Sequence, residues 1–198
     1  MNRRTLTIPL LVLGLGFLLA GPASAQGFGP DVLKINYFAN NVAGAPDATV
    51  RIDNPGTDAT ANLCALIYVF DNDQQLSECC GCLVTANGLR TLSVKNNLTS
   101  NPLTGVVSNN GMIMIVSSAV YPNGVPCDPT FNIGPTPSIR AWATHVQNKV
   151  GTAYPITETE FSDATLNGLE LDDNLGEQCS FAHRLGSGQA VCSCGTGD

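Results

Sequence analysis

The stretch LCALIYVF, residues 63–70, is apolar at every position. Because successive strand residues point to opposite faces of a sheet, a strand of this composition has to be covered on both sides. The stretch MIMIV, residues 112–116, has the same character. The two stretches therefore predict central strands of a sheet that is packed on each face.

Shorter segments on either side alternate between apolar and polar residues, which is typical of strands with one exposed face. Asn87-Gly88 separates two of these segments and is a hairpin signal, since both residues tolerate positive φ. The predicted flanking strands comprise residues 32–39, 49–53, 80–85, 89–94, 138–147 (which contain the single tryptophan, Trp142) and a short final strand, 189–194. We therefore expect a mainly β protein.

One helix is predicted near the C-terminus, at about residues 164–185. Ser162 or Asp163 would begin it as the N-cap, and Gly186 would end it. Its apolar stripe, at helical spacing, consists of Leu171, Leu175, Cys179 and Ala182. The whole pattern favours an antiparallel β-sandwich with one C-terminal helix.

Two runs, TVRIDNPGTDATANLCALIYVFDNDQQL (residues 49–76) and LVTANGLRTLSV (residues 83–94), resemble an immunoglobulin-like β-sandwich module of secreted bacterial proteins. In that module one strand ends in an Asn-Pro turn, the next ends in an aromatic-Asp turn, and a hairpin follows. The resemblance implies an immunoglobulin-like fold and no reaction. Most of the cysteines and the acidic C-terminal region are not part of it.

The N-terminus predicts export. Arg3 and Arg4 precede an apolar run at residues 8–20, and Ala23-Ser24-Ala25 fits a signal-peptide cleavage site. We expect cleavage after Ala25, which leaves residues 26–198 as a single domain that is secreted, extracellular or periplasmic. A membrane anchor is the alternative, but the run is shorter than the roughly 20 residues that a span needs.

The charge balance excludes one class of partner. The chain has 9 Lys and Arg against 16 Asp and Glu, and loss of Arg3 and Arg4 with the signal peptide makes it more acidic still. Proteins that bind nucleic acid or anionic lipid surfaces carry clustered basic residues. We therefore expect no nucleic-acid partner. We also expect no membrane span after cleavage, because no later stretch of the sequence is long and apolar enough.

Cysteine is frequent: Cys64, Cys79, Cys80, Cys82, Cys127, Cys179, Cys192 and Cys194. Exported compartments oxidise thiols, and the number is even, so we expect about four disulfides whose pairing the sequence leaves open. If ECCGC, residues 78–82, is a strand, Cys80 and Cys82 point to one face and Cys79 to the other. Direct Cys79–Cys80 bonding would make a strained ring, so these two are expected to have different partners.

Metal and redox chemistry are alternatives for the same residues. Cys179 and His183 share a predicted helix face, and with Cys192 and Cys194 they could make a zinc set. Cys79 and Cys82 have the C-x-x-C spacing, although no strand–helix–strand pattern surrounds them. A loose calcium site could use Asp71, Asp73 and Glu78. Oxidation in the exporting compartment favours disulfides, and Asp-Asn-Asp favours an ordinary turn, so we assign no metal or cofactor.

Catalytic signals are weak. The chain contains neither G-x-S-x-G nor H-E-x-x-H, and its two histidines are His145 and His183. Carboxylates that could form a glycosidase pair cluster toward the C-terminus: Glu158, Glu160, Asp163, Glu170, Asp172, Asp173 and Glu177. We assign no catalytic residue and favour a non-enzymatic structural or adhesive module, which could assemble with itself or with other surface proteins through edge strands or its N-terminal arm. A secreted hydrolase is the first alternative, and a metal-binding or thiol-redox module is the second.

Overall fold

The computed structural model describes residues 29, 31–40, 42–56, 62–120, 127–131, 134–168 and 170–195. The predicted signal peptide and its cleavage site lie outside these ranges. Within them the strands are β1 (Leu33–Ala39), β2 (Thr49–Asp53), β3 (Leu63–Asp71), β4 (Leu76–Val84), β5 (Leu89–Ser93), β6 (Asn110–Ala119), β7 (Arg140–Val146), β8 (Ile156–Glu160) and β9 (Ser162–Ala164). A π-helical turn, Val94–Leu98, follows β5, and a π-helical segment, Glu170–Gly176, leads into helix α1, Glu177–Leu185.

The strands form two antiparallel sheets, which confirms the prediction of a mainly β protein. The first has five strands in the order β4-β3-β6-β1-β9, and the second has four in the order β5-β2-β7-β8. The chain changes sheet at Phe161: its N–H bonds to Ala141 in the second sheet, while the next three residues pair with β1 in the first. Strand β1 therefore pairs within its own sheet, between β6 and β9.

The five-stranded sheet is packed on both faces, as the apolar stretches predict. Its inner face meets the four-stranded sheet in a core that includes Ile67, Ile115 and Val50. Its outer face carries a second core, in which Leu66 and Val116 pack with residues of the helical region such as Leu171. Residues 63–70 of β3 and 112–116 of β6 are apolar at every position because each stretch contributes to both cores.

All eight cysteines form disulfides: Cys64–Cys127, Cys79–Cys179, Cys80–Cys192 and Cys82–Cys194. The prediction of about four disulfides is confirmed, and so is the division of β4 between two faces. Cys79 bonds to α1 on the outer side of the sheet, whereas Cys80 and Cys82 bond to Cys192 and Cys194 near the C-terminus.

Several element boundaries differ from the predictions. Ser162 and Asp163 do not cap a helix but lie in β9, where backbone pairing to β1 overrides their capping preference. Residues 156–160 form β8, which the sequence pattern missed because every residue there is exposed. The predicted final strand, residues 189–194, contributes a single bridge, from Val191 to Cys79. Within the described ranges, no helix has the length and apolarity needed to cross a membrane.

Candidate functional site: an apolar groove on the five-stranded sheet

The outer face of the five-stranded sheet is covered unevenly. Register places three residues in line across β1, β6 and β3 at each of three levels. The levels are Leu33–Val116–Leu66, Ile35–Met114–Tyr68 and Tyr37–Met112–Phe70. Exposure is at most 1% in the first level, but Tyr37 is 54% exposed and Met112 is 36% exposed in the third. The helical region thus leaves an apolar end of the sheet uncovered.

This uncovered end is the floor of a groove with a volume of about 960 Å³. Leu175 and Gln178 of the helical region form one wall, and the β3–β4 turn forms another. A second hollow of about 570 Å³ shares Ile35, Tyr37 and Met112 with it and extends to β9. Both hollows have volumes in the size range of ligand sites, which are lined mainly by apolar side chains with a few polar groups.

The rim of the groove is acidic. Asp71 and Glu170 line the larger hollow, and Glu160 and Asp163 line its extension. Among the described residues that line the two hollows, none is Lys, Arg or His. The site therefore combines an apolar floor with negative charge toward both ends.

Two of these carboxylates already have partners. Asp71 accepts backbone N–H bonds from Asp73 and Gln75 at 3.0 and 2.9 Å, which shapes the β3–β4 turn. Asp163 forms an ion pair with Lys34, whose ammonium also lies 3.0 Å from Asp31. Glu160 is exposed and Glu170 half-buried, so both can present charge to an incoming group.

A polar seam supports the β1 side of the groove. The ring of Tyr37 stacks on buried His145 with ring centroids 4.1 Å apart. His145 Nε2 lies 2.7 Å from the hydroxyl of Thr159, which also accepts a bond from Asn36. Burial lowers the pKa of His145, so its neutral form is favoured in this seam. These contacts fix Tyr37 although more than half of it faces solvent.

The alternative zinc set, Cys179, His183, Cys192 and Cys194, would require free thiolates. Cys179, Cys192 and Cys194 are each in a disulfide, and a metal ligand has to be a thiolate. His183 Nε2 instead lies 3.2 Å from Cys79 Sγ and 3.1 Å from the Cys79 carbonyl oxygen. Cys79 and Cys82, the C-x-x-C pair, bond to different partners, so they do not form the redox disulfide of that spacing.

The loose calcium set is also separated. Asp71 belongs to the turn already described, whereas Glu78 is fully buried and accepts the Asn101 N–H at 2.9 Å. Burial raises the pKa of Glu78 to about 7, and its second carboxyl oxygen has no hydrogen-bond partner among the described residues. A carboxyl with a raised pKa is what a general acid requires, but this one has no access to a substrate.

The remaining predicted carboxylates are distributed over different surfaces. Glu158 pairs with Arg51 at 2.6 Å on the exposed face of the four-stranded sheet. Glu177 lies exposed in the first turn of α1. The side chains of Asp172 and Asp173 lie outside the described part of the chain. Of the described carboxylates in the predicted glycosidase cluster, Glu160, Asp163 and Glu170 line the groove.

Comparisons with known proteins add little to this geometry. No family model matches the chain, and no curated protein matches it. A solved structure, that of Thermotoga maritima 1070, is similar with a TM-score of 0.35 and 12% identity over 68% of this chain and 96% of that chain. A likeness at this level carries no argument about fold or function.

The sequence reasoning missed the groove itself. Tyr37 shares the alternation of its strand with Leu33, and Met112 shares a continuous apolar run with Val116, so neither pattern separates the exposed residue from the buried one. The signal that could have indicated an open end is the polar turn Asp71-Asn72-Asp73, because it marks where β3 leaves the covered part of the sheet.

Proposed function

We propose that this protein is a secreted adhesive module with an immunoglobulin-like sandwich, and that it binds through the apolar groove. The observation that carries the proposal is the level Tyr37–Met112–Phe70, where a sheet face covered elsewhere by the helical region remains open. Exposed apolar patches on proteins with otherwise polar surfaces mark interaction sites. The four disulfides support a role that requires persistence outside the cell.

Assembly through sheet edges is less well supported. The edge of β4 is occupied by the C-terminal segment, since Cys79 N–H donates to the Ala190 carbonyl at 3.0 Å. The side of β1 away from β6 pairs with β9 only at residues 33–35, and just beyond this pairing the Asn36 side chain accepts the Tyr37 N–H. Strand β8 is exposed along its length, but Glu158 and Glu160 would face like charges in a pair of identical strands. We therefore place recognition in the groove.

Adhesion to alkyl-coated beads tests the proposal on the mature protein, residues 26–198, with its disulfides intact. We expect Met112→Gln to reduce retention about fivefold, because about 1 kcal/mol of apolar contact is lost. Leu89→Gln is the matched control, since Leu89 is 60% exposed and lies on β5 of the other sheet. Equal retention of the two variants and the parent protein would refute the role of the groove.

The hydrolase remains the second candidate because Glu160 and Asp163 line the same extension of the groove. It predicts release of reducing sugar from polysaccharides, with loss of that activity in Glu160→Gln. Absence of turnover together with groove-dependent adhesion would favour the adhesive module.

A further inference from the structure

We infer that the groove receives an extended peptide segment of a partner protein, with an apolar centre flanked at both ends by Lys or Arg. This inference rests on the proposed function, because it names the partner chemistry of the same site. Its basis is the combination of one continuous apolar floor with carboxylates toward both ends.

The floor favours an extended chain. Phe70, Met112 and Tyr37 belong to three adjacent strands, whose spacing is about 4.8 Å. The shared residues Ile35, Tyr37 and Met112 join the larger hollow to its extension, so the floor continues from the β3–β4 turn to β9. A short run of apolar side chains laid along this line would contact the floor over its whole length.

The rim sets the charge of the ends. Asp71 and Glu170 border one hollow and Glu160 borders the other, while none of the described lining residues is cationic. A segment with acidic flanks would be repelled, whereas Lys or Arg flanks would be attracted. The formal net charge of −7 adds a long-range attraction for cationic partners.

Isothermal titration of the mature protein with three synthetic ten-residue peptides tests the inference. The first has an apolar centre of Leu, Phe and Val with two Lys at each end. The second replaces the Lys residues by Glu, and the third replaces the apolar centre by Ser. We expect the first peptide to bind at least about tenfold more tightly than either of the others, and more weakly as salt is raised.

Charge variants locate the contact. Glu160→Gln and Glu170→Gln should each weaken binding of the Lys-flanked peptide about two- to fivefold, the range expected for surface ion pairs. Asp53→Asn removes the same charge from β2 of the other sheet and should leave the affinity unchanged. Met112→Gln should weaken binding of the same peptide without reversing the preference for Lys flanks.

Four outcomes would overturn the inference. The first two are equal binding of the three peptides and equal effects of Glu160→Gln and Asp53→Asn. The third is tighter binding after deletion of residues 26–30, which would make the protein's own N-terminal segment the occupant. The fourth is self-association that Met112→Gln abolishes, which would make the occupant a second copy. Peptide selectivity without groove-dependent adhesion would refute the adhesive role alone. Adhesion that Met112→Gln abolishes, without peptide selectivity, would refute the inference alone.

Discussion

Two ends of one sheet face differ in what covers them. At the level Leu33–Val116–Leu66 the outer face of the five-stranded sheet is buried, with exposures of 1%, 0% and 1%. At the level Tyr37–Met112–Phe70 the same three strands face a groove. Both levels are apolar, so the difference lies in the helical region, which the Cys79–Cys179 disulfide attaches to the sheet.

An apolar pattern in a strand thus predicts that this face of the sheet packs against another layer. It does not predict which of the apolar residues that layer buries. Leu171, Leu175 and Ala182 of the helical region pack over the buried levels. The open level retains its apolar side chains, and their burial by a partner would supply free energy for binding.

The largest expected effect comes from detaching the cover. The double substitution Cys79→Ala/Cys179→Ala removes a link across 100 residues and should lower the free energy of unfolding by about 4 kcal/mol. Urea unfolding measures this loss. Cys64→Ala/Cys127→Ala, which opens a link across 63 residues, should cost a similar amount but leave α1 attached to β4. Increased binding of an apolar dye by the first double variant alone would show that this disulfide holds the helical region on the sheet. Equal dye binding by the two double variants would contradict it.

A buried carboxyl on the face of β4 opposite to Cys79, that of Glu78, makes stability depend on pH. Because the pKa of Glu78 rises from 4.5 to about 7 on folding, its contribution is fully present below about pH 4.5 and is lost as pH rises through 7. The loss is on the order of 3 kcal/mol. Glu78→Gln should remove this dependence and be more stable than the parent at pH 8. Parallel stability–pH curves for the two proteins would contradict the assignment.

A pair of methionines on one strand tests the comparison directly. Met114 is 7% exposed and Met112 is 36% exposed on the same face of β6. Met114→Ala should lower the free energy of unfolding by about 2 kcal/mol, whereas Met112→Ala should cost less than about 1 kcal/mol. The midpoints of denaturant unfolding, compared at constant slope, measure these two losses. Equal losses would mean that the groove is closed in solution.

The smallest expected effect concerns Tyr37, an exposed residue whose ring shields buried His145. Tyr37→Ala removes the ring stacked on His145 and lets water reach the imidazole. The pKa of His145, lowered by burial in the parent, should then rise toward its ordinary value. Titration of His145 followed by NMR measures the change. An unaltered His145 titration would show that other groups shield it.

The mainly β architecture and the oxidation of the cysteines could both be predicted from the amino-acid pattern. Residues 63–70 and 112–116 had to be central strands because apolar side chains on both faces require two layers of cover. Cys80 and Cys82 had to face opposite Cys79 because strand residues alternate. These are local properties, which the order of residues along the chain expresses directly.

The disulfide partners, the strand pairing of residues 156–164 and the open groove depend on long-range packing, which the local pattern does not express. The pairing of Cys79 with Cys179, and of Cys80 with Cys192, depends on which distant segments approach β4. Strand β8 and the place of Ser162 in β9 follow from backbone pairing to neighbours rather than from side-chain pattern. The groove exists because the helical region is too short to cover all three levels of the face, and the extent of a cover is set by packing between segments far apart in the chain.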